Sequence, residues 1–464
     1  MDNRIKRYSS KDYNVDFCCG VDVPSKNYFS VIIGENGCGK SRLLQGVIST
    51  LTNQGKGKSH YLIVEQRQRG EIQRFEKHAN ELHTRLFSKA PQDRLNIIAF
   101  TGSIVDKLPS FTEYSSNNYH YLGATIHGEY LSPKDFLSSS LFSFIASINK
   151  SDSKLSLEKL HYVFDFLHYQ RKLFFSFTVN HKLHLSGIKG RHKQEEAFQK
   201  YLRDNSSSQN IAESRYSPDL CEYYFGKLKQ AKSGKRQHQT YKLSVNFDDP
   251  ISVERVLPEF YFLKQLEVIG LMTAPQARLM NLDGKEMPCT DASSGEALIL
   301  ALAMRVIPRV SRGSIIIIDE PEISLHPTWQ YRYIEFLDNV IGQDMGCHII
   351  LATHSHFIVS DLPDDRSEVI RLIKERKKIS SINYSDTEGL SAEQVLLDVF
   401  DMPTSRNHYI TSILQRALEL ASDENRDEGE LMSILQSLNK IKNKLREDDP
   451  LKRILKGLEM VGRQ

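Results

Sequence analysis

Gly34 Glu35 Asn36 Gly37 Cys38 Gly39 Lys40 Ser41 fits G-x-x-x-x-G-K-[ST], a loop built to hold phosphates. Its glycines let the backbone N–H groups of Asn36, Gly37, Cys38 and Gly39 approach an anion, while Lys40 reaches the outer phosphates of a nucleotide. Ser41 is placed to ligate Mg²⁺, and Lys40 is expected to stand exposed in the loop. Far downstream lies the acidic pair Asp319 and Glu320. A Mg²⁺-nucleotide site needs this pairing: Asp319 completes the metal's shell, and Glu320 polarises the attacking water as general base.

These groups must be delivered to one place, and the flanking sequence supplies the means. Apolar Phe29–Ile33 reads as a strand entering the phosphate loop, and Arg42–Ile48 as the helix leaving it. Ser314 to Ile318 is an apolar β-branched run, the signature of a strand buried on both faces of a parallel sheet. Ligands of such sheets bind at the carboxyl edge, where both motifs end. The reading is therefore an α/β phosphate-loop fold.

Two further stretches fit the same edge. Asp291 Ala292 Ser293 Ser294 Gly295 Glu296 is a small-residue turn opening a helix from Ala297 to Val306, whose free N–H groups and dipole favour an anion. Cys347 to Ala352 is another buried strand, ending in Thr353 and His354. In this order and spacing the four motifs resemble those of ABC-type ATPases. That resemblance makes Ser293, Ser294, Gly295 and Glu296 the signature turn and His354 the switch histidine that contacts the γ-phosphate, with ATP and Mg²⁺ as cofactors.

From Lys40 to Asp319 is 279 residues, far more than one β-α-β unit requires, so something is inserted. A split head of this kind resembles the SMC, RecF and OLD branch, over residues 25–110 and 260–360. The branch carries a glutamine loop after the strand found here at Leu95–Phe100. This chain has no glutamine there, which leaves Ser103 or Asp106 for the role. In an OLD protein a TOPRIM nuclease with an Asp-x-Asp pair follows the switch histidine. No such pair occurs after His356, so an ATPase without a nuclease centre of its own is expected.

Within the branch, Glu388 to Leu396 and Phe400 to Pro403 resemble bacterial anti-phage defence ATPases of the Septu type (PtuA-like, also found beside retrons), with the PARIS type (AriA-like) a close rival. This resemblance implies a sensor or regulator that controls a separately encoded nuclease, HNH (PtuB-like) or TOPRIM. It also implies a homo-oligomer, from a dimer of heads up to a hexamer. The competing expectation is a RecF- or SMC-like repair clamp acting directly on DNA.

Composition sets the remaining bounds. The 464 residues carry 61 Lys and Arg against 58 Asp and Glu, so bulk charge neither demands nor excludes nucleic acid. No apolar run reaches the ~18 residues of a membrane span and the amino terminus is polar, so a cytoplasmic protein is expected. The six cysteines form no C-x-x-C pair and read as reduced thiols.

Four segments follow. Residues 1–110 are the first ATPase lobe, with strands at Asn14–Cys19, Tyr61–Glu65 and Ile97–Phe100 and a charged helix from Glu71 to Leu86. Residues 111–260 are a helical, basic insertion, apolar and helical in Phe142–Ile148 and Leu155–Phe177. Near its end Lys227 to Arg236 contains no acidic residue, so it reads as a mobile surface loop or a nucleic-acid contact. Residues 261–389 are the second lobe, with a hairpin between Leu266 and Lys285. Residues 390–464 are a helical tail striped by Leu431, Ile434, Leu435 and Leu438, for packing on the head or for contact with another subunit.

Overall fold

The computed structural model describes residues 2–20, 22–52, 60–68, 71–78, 95–102, 108–109, 118–123, 125–126, 129–130, 133–148, 153–180, 190–204, 218–228, 238–375, 378–384, 408–422, 428–442, 452, 454–456 and 458. Its centre is a seven-stranded sheet. In spatial order the strands are Lys378–Tyr384, Ser367–Glu375, Tyr28–Ile33, His348–Ala352, Ile315–Asp319, Ile97–Thr101 and Tyr119–Tyr121. All pairs are parallel except that of Lys378–Tyr384 with its neighbour.

Register explains how distant motifs meet. Asp319 pairs with Ala352 on one side and Thr101 on the other, and Ala352 pairs with Ile32. The phosphate loop, the acidic pair and the histidine turn thus leave adjacent strands at one level. The four central strands are buried along their whole length because alternate residues serve two cores. Ile316, Ile318, Ile349 and Leu351 face one core. Ile315, Ile317, Ile350 and Ala352 face the other.

One core is closed by helix Lys40–Leu51, through Leu43, Leu44, Val47 and Ile48, and by an antiparallel sheet of Asn14–Asp16, Asp2–Ser9, Tyr61–Gln68 and Glu71–His78. The opposite core is closed by helices Pro133–Ser147, Ser153–Phe166, Ser294–Val306 and Tyr333–Ile341. Another antiparallel sheet, of His238–Asn246, Tyr169–Asn180, Gln276–Asn281 and Glu286–Pro288, contributes to that core beside helix Pro250–Val268. In the tail, helices His408–Ser422 and Glu428–Lys442 bury Ala417, Leu420, Leu431, Leu435 and Leu438 in a smaller cluster with Leu455 and Leu458.

Several local expectations are corrected. Glu71–His78 is a strand and not a helix: Phe75 is buried, and Arg74 bonds Glu65 across the pair, so the charged residues decorate a sheet edge. Residues 79–86 of that expected helix lie outside the described residues. The helix expected through Phe177 ends at Phe166, after which Tyr169–Asn180 alternates buried Leu173, Phe175, Phe177 and Val179 with less buried neighbours, the period of a strand. The hairpin is shorter than expected. Leu266 to Val268 belongs to a helix, and only Gln276–Asn281 and Glu286–Pro288 pair, around the Asp283-Gly284 turn.

Lys229 to Arg236 of the basic run lies outside the described residues, and so do Ser103, Asp106, Glu388 to Leu396 and Phe400 to Pro403. Among the described residues no helix is long and apolar enough to cross a membrane.

Candidate functional site

The phosphate loop runs from Gly34 to Gly39, and helix Lys40–Leu51 begins directly after it. Gly39, the residue before the helix, has φ 103°, a conformation that costs glycine little and other residues much. Its carbonyl accepts a 2.9 Å hydrogen bond from the Tyr13 hydroxyl, so the amino-terminal sheet braces the loop from behind. Asn36 and Gly37 are exposed, Ser41 is half-buried, and Cys38 is buried against the core.

Lys40 departs from expectation: it is only 5% exposed. Its Nζ donates to the Gly34 carbonyl at 3.0 Å and lies 2.7 Å from His354 Nε2. An ammonium has no lone pair, so His354 Nε2 must accept and the imidazole is neutral, its proton on Nδ1. Burial lowers the pKa of Lys40, with Cys38, Glu320, Glu322 and Asp319 opposing, and burial followed by Lys40 lowers that of His354. The lysine is tucked in because the histidine strand runs beside the phosphate-loop strand, a neighbour the motif alone does not reveal.

Asp319 ends its strand buried, with Oδ1 lacking any hydrogen-bond partner. Burial pushes its carboxyl up to about 6, against the pull of a hydrogen bond from Ser41 and with a further push from Glu320 and Glu322. A buried oxygen without a donor, beside a serine hydroxyl and two more carboxylates, is a donor set that a hard divalent cation satisfies. Ser41 and Asp319 therefore fit Mg²⁺. Glu320 has φ 51°, unusual for a residue with a side chain, and its amide donates to the Ala352 carbonyl at 2.8 Å.

The second glutamate, Glu322, carried no expectation, yet it is the more firmly bound of the two. Its Oε1 accepts from the His354 amide at 2.6 Å and its Oε2 from the Thr353 hydroxyl at 2.7 Å. Gln330 adds a second tie, accepting from the Ser355 hydroxyl at 2.6 Å and donating to the Leu325 carbonyl at 2.9 Å. The one sequence signal for this was a third carboxylate just past Pro321, on the strand's exit loop.

Ser293 is the N-cap of helix Ser294–Val306. Its hydroxyl accepts from the Glu296 amide at 3.2 Å, while its own amide donates to Glu296 Oε2 at 2.7 Å. This capping box fixes the turn and leaves Ser293 and Ser294 exposed at the helix's positive end. Gly295 is buried: a Cβ there would meet the Ser324 carbonyl at 2.7 Å and the Trp329 ring at 3.0 Å. An open cleft of about 730 Å³ lies between this turn and Ser324, Leu325, His326 and Thr328. The structure thus brings Lys40, Ser41, Asp319, Glu320 and His354 to one sheet edge, with Ser293 to Glu296 at the mouth of a separate cleft.

Comparison with known proteins follows the same outline. The family model described as "AAA domain, putative AbiEii toxin, Type IV TA system" matches residues 29–360. "Protein ea59" of Escherichia phage lambda is 27% identical over 125 residues, which is 26% of this chain and 23% of that protein. "Retron Vc95 probable ATPase" of Vibrio cholerae serotype O1 biovar El Tor is 21% identical over 169 residues, 33% of this chain and 32% of that protein. "Septu protein PtuA" of Bacillus thuringiensis is 25% identical over 147 residues, 31% and 35% of the two chains. The chain thus spans between about a quarter and a third of the length of these relatives. Since the matched residues run from the phosphate-loop strand to beyond the histidine turn, the chain belongs to this AAA-domain family.

Proposed function

We propose that this chain binds and hydrolyses ATP as the regulatory subunit of an anti-phage defence system, and that the nucleotide state governs a separately encoded nuclease. The observation that carries the reading is the meeting of Lys40, His354, Ser41, Asp319 and Glu320 at one carboxyl edge. The defence setting is supported by the partial similarity to a Septu protein and a retron ATPase.

In this reading the amides of Asn36 to Gly39 and the Lys40 ammonium hold the β- and γ-phosphates. Ser41 and Asp319 would hold Mg²⁺, which when bound neutralises phosphate charge. Glu320 takes a proton from the attacking water, the water oxygen bonds to the γ-phosphorus, and ADP departs carrying the former bridging oxygen. His354 contacts the γ-phosphate from the neighbouring strand. Ser293, Ser294, Gly295 and Glu296 cover the phosphate held by a second copy, so two heads enclose two nucleotides. The partner nuclease is of HNH or TOPRIM chemistry, the tail supplies subunit contacts, and the protein works in the cytoplasm.

Glu320→Gln tests the core of this, since it keeps the phosphate and metal contacts while removing the base. ATP should persist on the variant and its heads should associate more tightly, read by light scattering with and without ATP-Mg²⁺; unchanged association would remove the two-head arrangement. Lys40→Ala should abolish nucleotide binding and, in cells, protection against phage. A stably folded Lys40→Ala protein that still protects would show that nucleotide does not control the system.

A further inference from the structure

We infer that Glu322 is a positioning residue: its carboxylate fixes the Thr353–His354 peptide and thereby holds the His354 imidazole against Lys40. The inference deepens the ATPase reading and rests on it.

The backbone ladder cannot do this work. The last ladder bond of the histidine strand is from the Thr353 amide to the Ile32 carbonyl at 3.0 Å, and the next N–H, that of His354, finds Glu322 instead. The two oxygens of Glu322 are divided between two donors, the His354 amide and the Thr353 hydroxyl. Thr353 Oγ1 in turn accepts from the Ser355 amide at 2.9 Å, so the carboxylate organises three successive residues. Thr353 and Ser355 are buried, whereas His354 between them lies at the surface, able to reach its place only if the turn is held. Gln330 secures the far end of the turn through Ser355.

A carboxylate serves both donors at once. A glutamine in the same place offers one acceptor oxygen and one NH₂ group, so keeping the bond from the His354 amide turns the NH₂ toward Thr353, whose hydroxyl then has to rotate and loses its own acceptor. The other carboxylate, Glu320, is on the residue with φ 51° at the strand end and is engaged by the proposed reaction, so it does not substitute. Loosening the turn moves the imidazole away from Lys40 while leaving the phosphate loop, Lys40 and Asp319 in place. ATP affinity and turnover should therefore separate.

The experiment compares the full chain with Glu322→Gln and with Thr353→Val, which removes the hydroxyl that donates to Glu322 and accepts from the Ser355 amide but leaves the bond from the His354 amide to Glu322. Three quantities are read: the Kd of a fluorescent ATP analogue, kcat for phosphate release, and amide hydrogen exchange of the peptide spanning residues 353–358. For Glu322→Gln, kcat should fall by about tenfold or more, as expected when a reacting group is displaced by ~1 Å. Its Kd should stay within about threefold, less than the tenfold that 1.4 kcal/mol represents. Exchange should quicken at residues 353–355 and not across the sheet. Thr353→Val should show the same pattern more weakly, and it carries the test if Glu322→Gln does not fold.

Unchanged exchange, unchanged kcat, or loss of ATP binding equal to that of Lys40→Ala would each overturn the positioning role. A wild-type protein that releases no phosphate would instead overturn the ATPase reading. Faster local exchange in Glu322→Gln would then still support the placement of His354 by Glu322.

Discussion

Gly102 leaves no room for a methyl group beside Glu320. A Cβ there would lie 2.4 Å from the Glu320 carbonyl, and the Gly102 amide already donates to the Asp319 carbonyl at 2.9 Å. The obstructing atom is backbone, of a residue at φ 51°, so it has little freedom to retreat. Gly102→Ala should therefore displace Glu320, lowering kcat by about tenfold or more and stability by about 1–3 kcal/mol. Steady-state phosphate release and urea unfolding check the two effects. At this scale the sequence made placement readable where a residue belongs to a local motif: Lys40, Ser41 and Asp319 stand at the sheet edge where the motifs put them. It was silent where a role depends on a neighbour brought in by the fold. The burial of Lys40 under His354 and the grip of Glu322 on the Thr353–His354 peptide both come from strand adjacency, which no spacing along the chain encodes.

Among the elements, the histidine strand is tied to the rest by a buried polar chain. The Ile5 amide donates to His348 Nδ1 at 3.0 Å, His348 Nε2 lies 2.9 Å from Ser30 Oγ, and Ser30 donates to Glu368 Oε1 at 2.7 Å. Glu368 also accepts from the amides of Cys18 and Cys19 at 2.5 and 2.9 Å. His348 thus sits neutral, and burial, then Arg4 and Lys6, hold its pKa well below the ordinary value. Because the folded pKa of this base is depressed, the unfolded chain takes up a proton near pH ~6.5 that the folded chain refuses. Stability should therefore fall as pH drops through that value, by up to about 1.4 kcal/mol per pH unit from this group. His348→Gln should lose that slope while keeping one donor and one acceptor, and urea titrations at several pH values between 7.5 and 5.5 compare the two. Burial raises the Glu368 carboxyl, an opposite tendency that both proteins share.

Elements with a strong apolar pattern, whether an unbroken run or a helical stripe, were legible in advance: the isoleucine strand, the phosphate-loop helix and the tail stripe all stand where expected. Misreadings arose where charge or bulk masked the period. Glu71–His78 looks like a solvated helix until its pairing with Tyr61–Gln68 is known. Tyr169–Asn180 runs on from a true helix with no glycine or proline to mark the change.

For the molecule as a whole, the two-sided sheet sets the scale of cooperativity. Alternate isoleucines of Ile315–Ile318 face different cores, so a cavity on either side is felt along the same strand. Ile317→Ala should cost about 2–5 kcal/mol, with loss of ATP binding tracking global unfolding in a paired calorimetric and nucleotide-binding measurement.

The sheet order also governs when the site can exist during synthesis. Tyr28–Ile33, which carries the phosphate loop, has as its two sheet neighbours only His348–Ala352 and Ser367–Glu375. Both are made more than 300 residues later. At roughly 5–20 residues per second, this apolar strand leaves the ribosome tens of seconds before either flank exists. A nascent chain stalled with Cys347 still inside the exit tunnel should therefore be unable to capture immobilised ATP, whereas one that has exposed Glu375 should succeed. Fragments released early would carry the complete phosphate-binding motif and yet compete for no nucleotide.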